Sequence, residues 1–206
     1  MPDKKDTSDK TFLFVDGTNL YAGQFQLFGH DRYLDFSLLI KEIQNQLGII
    51  FDKIYFYASY SPRSKNPTRR EKLFLKNEAL FYKSVKRTKN VTFFTGYRSK
   101  ASGKEKEVDV KLTADLISYA FLDKFNKAFL FTGDADFLQA LFTLKRFQNN
   151  RKICLLCLEN KIMYKGAFYF KTYILNFRLA KQKFHRKQKV EFLRLKESIV
   201  VKSLGG

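Results

Sequence analysis

The sequence contains few of the residues that build zinc, redox or disulfide sites. Its 206 residues include two cysteines, two histidines and no tryptophan. Cys154 and Cys157 lie in RKICLLCL, a predicted strand, where residues three apart point to opposite faces. Neither His30 nor His185 lies near them in sequence, so a four-ligand zinc site finds no partners. We therefore predict two buried structural cysteines.

Long apolar segments are also missing. No run approaches the roughly 18 apolar residues that a membrane-spanning helix needs. The N-terminal MPDKKDTSDK lacks the apolar segment of a signal peptide. Three prolines and ten glycines argue against long disordered or fibrous segments. The expectation is a cytoplasmic protein without a membrane partner, in which residues 1–10 form a solvated leader.

Acidic residues are scarce relative to basic ones. Lysine and arginine number 39 against 20 aspartates and glutamates, a formal net charge of +19. Cationic groups gain free energy by releasing counterions from phosphates, so the excess indicates a nucleic-acid partner. At 45% hydrophobic and 17% aromatic, the chain also has enough apolar residues for a core. The aromatic content leaves a homodimer open as well.

Strand-like and helix-like patterns alternate along the chain. Strands are predicted at 12–15, 53–60, 91–97, 127–134 and 151–158, with a sixth near 169–175. Helices are predicted at 35–47, 69–86, 108–123 and 135–147. This alternation predicts an α/β fold with a mostly parallel central sheet and helices on both faces. Residues 11–177 would form this domain, and 178–206 a basic extension, partly helical near 190–196, without an obvious contribution to the core.

Acidic residues follow two of the predicted strands. Asp16 ends the first, in TFLFVDGTNLY, and Asp134 and Asp136 end the fourth, in FLFTGDADF. The carboxyl ends of parallel strands share one edge of a sheet, where ligands bind in open α/β folds. Asp109, in the first turn of the predicted helix in EVDVKLTADL, should reach the same edge.

Asp115 has two interpretations. It lies seven residues after Val108, on a stripe shared with an apolar residue, which favours a buried supporting acid. It also lies four residues after Lys111, which favours an exposed ion pair on the helix surface.

Crowded carboxylates repel one another unless a cation neutralises them. Oxygen ligands without histidine or cysteine favour Mg²⁺ or Mn²⁺. An acidic metal site in a basic protein indicates metal-dependent hydrolysis of a nucleic acid. The alternative is structural: Asp16 as a turn residue, Asp134 and Asp136 as helix caps, and Asp109 as a partner of the helix dipole.

Three ordered motifs, FVDGTNLY, EVDVKLTADL and FTGDADFLQAL, resemble those of NYN domains in the PIN-like nuclease superfamily. The likeness spans about residues 10–175 and is strongest to the bacterial LabA-like branch. It implies a PIN-like, Rossmannoid three-layer sandwich and an endoribonuclease that uses Mg²⁺ or Mn²⁺. The family's positions fall on Asp16, Asn19, Asp109, Asp115, Asp134 and Asp136. Thr132 stands where the family usually has serine, and we expect Gly17 to let the backbone turn and Asn19 to orient the metal's first shell.

A haloacid-dehalogenase-type phosphatase is the main rival, since FVDGT resembles its first motif. The nucleophilic aspartate of that family corresponds here to Phe14, which cannot attack phosphorus. A second alternative, from another class, is an RNA-binding regulatory protein of the same fold with weak or no catalysis.

Basic residues near the predicted acidic edge are expected to bind RNA. Two loops and the extension carry them: Arg63, Lys65, Arg69 and Arg70; Arg98, Lys100, Lys104 and Lys106; and Lys183, Arg186 and Lys187.

Overall fold

The computed structural model describes residues 10–29, 33–98, 105–147, 152–177 and 199–204. The strands are β1 (Thr11–Asp16), β2 (Lys53–Ala58), β3 (Val91–Thr95), β4 (Tyr97–Arg98), β5 (Glu105–Lys106), β6 (Lys127–Phe131), β7 (Lys152–Leu158), β8 (Lys171–Phe177) and β9 (Ile199–Leu204). The α-helices are α1 (Gly17–Phe28), α2 (Phe36–Leu47), α3 (Arg69–Arg87), α4 (Val108–Phe121), α5 (Leu138–Phe147) and α6 (Tyr164–Tyr169), and a 3-10 turn covers Ala135–Phe137.

Seven strands form one sheet in the order β3-β2-β1-β6-β7-β8-β9. The first six run parallel, and β9 lies antiparallel to β8. The predicted α/β fold with a mostly parallel sheet is confirmed. β1 pairs with β2 on one side and β6 on the other, so the strand order reverses between β1 and β6. The carboxyl ends of these two strands form the topological switch point, where ligands bind in open sheets.

Helices cover both faces of the sheet. One buried cluster joins the sheet to α1, α2 and α3, and the other joins it to α4, α5 and α6. β1 contributes to both because its side chains alternate: Leu13 and Val15 face the first cluster, and Phe12 and Phe14 the second. Phe14 is fully buried and stacks on Tyr55 with ring centroids 5.3 Å apart. The position of the dehalogenase nucleophile is thus a core position here.

Helix α1 was not predicted. Its sequence, GTNLYAGQFQLF, carries two glycines and buries a glutamine, so the helical pattern is weak. Gln24 is buried because its Oε1 accepts the backbone N–H of Leu34 at 2.7 Å. The glycines allow close packing: a Cβ on Gly23 would lie 2.6 Å from Leu158 Cδ1. Tertiary contacts therefore stabilise this helix more than its intrinsic pattern does.

The predicted domain boundary at residue 177 stays a prediction, but the sheet includes one strand from beyond it. β9, with the sequence IVVKSL, pairs with β8 from Ile199 opposite Phe177 to Leu204 opposite Thr172. Strand β9 was not predicted, because its β-branched residues follow the strongly charged segment 178–198. Residues 178–198 lie outside the described part of the structure. Residues 98–107, predicted as a loop, include a two-stranded ribbon of β4 and β5.

Candidate active site

Asp16 is a buried carboxylate at the junction of β1 and α1. Its side chain is 4% exposed, and it caps the N-terminus of α1 because its Oδ1 accepts the backbone N–H of Asn19 at 3.0 Å. Its Oδ2 accepts the hydroxyl of Thr132 at 2.8 Å. Asp16 is thus held from both strands of the switch point.

The turn after β6 repeats this arrangement. The backbone N–H of Asp134 donates to Thr132 Oγ1 at 3.0 Å, so the hydroxyl links the two aspartates. Asp134 Oδ1 in turn accepts the N–H of Asp136 at 2.9 Å and caps the 3-10 turn. The structural interpretation of Asp134 as a helix cap is therefore correct, and Asp16 is a cap of the same kind. Capping orients both carboxylates and does not exclude a catalytic role.

Asn19 ties α1 to the turn after β6. Its Oδ1 accepts the backbone N–H of Gly133 at 3.1 Å. Gly133 itself is packed closely, since a Cβ there would lie 2.2 Å from the carbonyl oxygen of Lys161. Asn19 was expected to orient a metal's first shell. In the structure it fixes the turn that carries Asp134, and the orienting role stays a prediction.

Gly17 has a different role from the one expected. It is the first residue of α1, and a Cβ there would lie 2.1 Å from Cε1 of Phe56. The close packing against the ring of Phe56 explains why a glycine occupies this position. A turn conformation of the backbone does not explain it.

The carboxylates influence one another. The pKa of Asp16 is raised to about 7, chiefly by burial and in smaller part by the negative charges of Asp109 and Asp134. The hydrogen bonds from Asn19 and Thr132 oppose this shift in the pKa. The charges of Asp109 and Asp134, from two other parts of the chain, therefore act on Asp16.

Asp109 and Asp136 face solvent beside the buried Asp16 and the half-buried Asp134. They line a cleft of about 320 Å³ between α4 and the 3-10 turn. Its walls are Asp109, Val110, Thr113, Ala114, Asp136 and Phe137. The cleft is accessible to a substrate and carries acids on both sides.

A family model matches most of this chain. The model of the NYN domain matches residues 10–165, a range that includes all the acids described above. The chain belongs to the NYN domain family. Membership places it in the PIN-like superfamily and confirms the predicted family and three-layer fold. NYN domains are generally nucleases. The LabA-like branch stays a prediction.

A solved structure shares the fold of this NYN domain. It is a crystal structure of a protein of unknown function from Vibrio parahaemolyticus, with a TM-score of 0.54 and 15% sequence identity. The alignment covers 82% of this chain and 94% of that one. At this identity the likeness concerns the fold alone. No curated protein matches the chain.

Asp115 of the NYN domain combines the two predicted interpretations. Lys111 Nζ lies 2.6 Å from its Oδ1, the predicted ion pair. Tyr57 donates its hydroxyl to Oδ2 at 2.9 Å, and the Asp115 side chain is only 14% exposed. Tyr57 was missed as a site neighbour, although its register with Asp16 on the adjacent strand places it at this edge. The acid therefore connects α4 to the sheet.

The site's donors suit a hard divalent cation in chemistry. Asp16, Asp109, Asp134 and Asp136 offer only oxygen, the preference of Mg²⁺ and Mn²⁺. Among the residues that the structure describes, however, no group of three or more acids, histidines or cysteines is arranged to hold a metal ion. The predicted four-carboxylate shell therefore stays a prediction.

The cysteines behave as predicted. Cys154 and Cys157 are free and buried, and they belong to the clusters on opposite faces of the sheet. Burial raises the pKa of each thiol. The Cys157 thiol donates to the carbonyl oxygen of Thr132 at 3.1 Å, so it supports the strand that carries the site.

The basic loops are partly described. Arg63, Lys65, Arg69 and Arg70 are exposed between β2 and the first turn of α3, at the same sheet edge as the acids. Arg98 and Lys106 lie in the β4–β5 ribbon, whose side chains are outside the described part. Lys100, Lys104, Lys183, Arg186 and Lys187 lie outside the described residues altogether. In the described part of the chain, no helix has the length and apolarity to cross a membrane.

Proposed function

We propose that this NYN domain is a divalent-metal-dependent endoribonuclease. The supporting observation is the coupled group of Asp16, Asp109 and Asp134 at the β1–β6 switch point, where burial and mutual repulsion raise the pKa of Asp16. A carboxyl group in such a setting is costly unless a cation compensates it.

Asp16, Asp109 and Asp134 would hold Mg²⁺ or Mn²⁺, with Asp136 beside them. When bound, the metal supplies an activated water as nucleophile and stabilises the leaving oxygen of the phosphodiester. The chain's own contribution is orientation. Thr132 fixes Asp16 relative to Asp134, and Asn19 fixes the turn between them. Asp115 lies one step away, held by Tyr57 and Lys111.

RNA fits the charge of the molecule. The formal net charge is +19, and the connection from β2 into α3, at the same sheet edge as the acids, carries Arg63, Lys65, Arg69 and Arg70. Cations at this edge would bind the phosphates on either side of the scissile bond and offset the repulsion between the acids and the strand.

An RNA-binding regulatory protein of the same fold is the second candidate. One observation favours it: in the described residues the carboxylates do not form a closed metal-binding group. The buried, hydrogen-bonded position of Asp16 supports the enzyme instead, because plain RNA binding gains nothing from a buried acid.

The test is cleavage of labelled single-stranded and hairpin RNA with Mn²⁺ or Mg²⁺, against EDTA and against Asp134→Asn. We expect metal-dependent internal cleavage by the wild type and none by the variant. RNA binding by both proteins without cleavage by either would favour the regulatory protein. Equal cleavage by both would exclude the proposed metal site.

The extension also needs a suitable experiment. Deleting everything after Leu175 would remove β9 and the end of β8, so weaker binding would not be informative. Replacing Lys183, Arg186 and Lys187 by glutamine keeps the strands. If these cations bind phosphates, the slope of log affinity against log salt becomes shallower by about 0.7 for each phosphate that the variant no longer neutralises. An unchanged slope would remove them from the RNA site.

A further inference from the structure

Helix α6 presents aromatic rings to solvent. Its inward residues follow the i, i+3, i+4, i+7 spacing of a packed helix face. They are Met163, Gly166, Ala167 and Phe170. The outward residues are Tyr164, Lys165, Phe168 and Tyr169. Three of the four outward positions are therefore aromatic, where a surface helix normally carries polar residues.

These rings are strongly exposed, and packing on the opposite side of α6 keeps them facing outward. Tyr164 is 76% exposed and Phe168 82%, the largest values among the exposed apolar side chains of the described residues. Met163 and Phe170 anchor the two ends of the helix in the core, at 2% and 7% exposure. Gly166 allows the middle of α6 to pack closely against β7, since a Cβ there would lie 2.7 Å from Leu155 Cδ1. Rotating the rings inward would expel these anchors.

The rings are contiguous with one another and with neighbouring residues of α5. Phe168 and Tyr169 lie 4.9 Å apart between ring centroids, and Phe142 lies 5.1 Å from Tyr169. Lys145 donates to the carbonyl oxygen of Tyr169 at 3.3 Å. We call Tyr164, Lys165, Phe168, Tyr169 and Lys145 the α6 patch.

The chain segments that carry the α6 patch are rich in cations. Across 138–147 and 152–177, the only acid is Glu159, whose carboxylate accepts the backbone N–H of Phe177. The same ranges carry six cations: Lys145, Arg146, Lys152, Lys161, Lys165 and Lys171. A polyanion is the partner that this region would attract.

The α6 patch begins beside the candidate active site. Residues 159–163 lead from the carboxyl end of β7 into α6. The carbonyl of Lys161 in this connection packs against Gly133, the residue between Thr132 and Asp134. A strand held near Asp134 would need to extend only a short way to reach Tyr164.

We propose that the α6 patch binds single-stranded RNA by stacking bases on Tyr164 and Phe168, while Lys145 and Lys165 contact phosphates. Every base has a π-face, so such stacking is tolerant of sequence and needs unpaired bases. The two rings are one helical turn apart, about 6 Å along the axis. The inference rests on the proposed function for its choice of RNA, but binding at the patch does not depend on cleavage. A lipid surface fits less well, because interfacial helices are typically much longer than six residues.

The chain contains no tryptophan, so Phe168→Trp creates a single fluorescent reporter. In EDTA, we expect saturable quenching on adding single-stranded RNA of about 12 nucleotides, a length within the usual site sizes for single strands, and little on adding the matching duplex or polyphosphate. Equal quenching by polyphosphate would mean a charge effect without stacking, and would overturn the proposal. Binding to phosphatidylserine vesicles without RNA quenching would identify a membrane site instead.

Substitutions then separate stacking from apolar contact. We expect the double variant Tyr164→Ala/Phe168→Ala to bind single-stranded RNA about 10- to 100-fold more weakly in EDTA. Phe168→Leu, which keeps an apolar side chain but no ring, should also weaken binding. Phe121→Ala is the matched control, because Phe121 is a 51% exposed ring at the end of α4. All these sites are exposed, so stability should hold, and thermal unfolding checks it.

The outcomes distinguish this proposal from the proposed function. If the double variant binds as the wild type does while Asp134→Asn abolishes cleavage, the patch proposal is wrong and the nuclease stands. If the double variant loses RNA binding and the wild type cleaves nothing with Mn²⁺, the patch stands and the nuclease fails.

Discussion

The two sides of the candidate site hold their acids differently. On the β1–β6 side, Asp16 and Asp134 accept hydrogen bonds within their own turns and share the hydroxyl of Thr132. On the α4 side, Asp109 is exposed at an open cleft, across from the exposed Asp136 of the 3-10 turn. The difference teaches that the fold itself orients Asp16 and Asp134 through hydrogen bonds, while Asp109 stands exposed to solvent.

The largest expected effect is on the β1–β6 side. Asp16→Asn keeps a cap for α1 and a similar shape but removes the buried charge. We expect cleavage to fall by more than about 100-fold, because a proposed metal ligand is removed. RNA affinity in EDTA should hold or rise, since one negative charge fewer faces the phosphates. Single-turnover cleavage and filter binding check both; full activity would contradict the assignment of Asp16.

Thr132→Val breaks the link between the buried Asp16 and the half-buried Asp134. It leaves Asp16 Oδ2 and the N–H of Asp134 without this partner, so we expect a loss of about 1–3 kcal/mol in the free energy of unfolding. Activity should fall by about 10- to 100-fold if the hydroxyl orients a metal ligand. Thr132→Ser is the matched control, and it should retain both the stability and the activity of the wild type. A valine variant as active as the serine variant would mean that the hydroxyl has no orienting role.

The pH dependence of stability gives a readout without catalysis. The pKa of Asp16 is about 7 in the folded protein and 3.8 in the reference state. Because the folded pKa is raised, the stabilising contribution of the neutral carboxyl is complete below pH 3.8 and is lost as the pH rises to about 7. In EDTA, wild-type stability relative to Asp16→Asn should therefore fall across this window, by up to about 1.4 kcal/mol per pH unit.

Denaturant unfolding of both proteins at several pH values on either side of this window measures the difference. Above a pH of about 7 the difference should level off. A difference that does not change with pH would mean that Asp16 is not shifted in the metal-free protein. Added Mn²⁺ at alkaline pH should raise the stability of the wild type more than that of Asp16→Asn, because binding to the folded state alone stabilises it.

The smallest effect on activity is expected at Asp115, which connects α4 to the sheet and does not line the cleft. Both its oxygens already have partners in Lys111 and Tyr57. Tyr57→Phe should cost about 1 kcal/mol of stability because it removes one hydrogen bond, with nearly unchanged activity. Asp115→Asn should likewise keep most activity. If Asp115→Asn lowers the cleavage rate as much as Asp16→Asn does, the result would identify Asp115 as a metal ligand.

Much of the fold was predictable because its elements are strongly patterned. Helix α2 runs from Phe36 to Leu47, against a predicted 35–47, since Asp35 caps it and Gly48 ends it in a left-handed conformation. Helix α1 and strand β9 were missed. The first depends on glycine packing against distant side chains, and the second on pairing with β8, and neither produces a strong local pattern.

The sequence by itself determined which residues stand at the strand ends. Apolar runs followed by Asp16 and by Thr132-Gly133-Asp134 predict buried strands that end in acids, because the side-chain pattern is a local property. The alternation of strands with helices predicts that these ends share one edge of a parallel sheet. Only the tertiary structure decided which acid is buried. Thr132 donates to Asp16 from 116 residues away, and desolvation depends on every element packed around a carboxyl group. The tertiary structure also decided which residues of α6 are exposed. From the sequence alone its aromatic residues could have belonged to the core, but Met163, Gly166 and Phe170 occupy the inward positions.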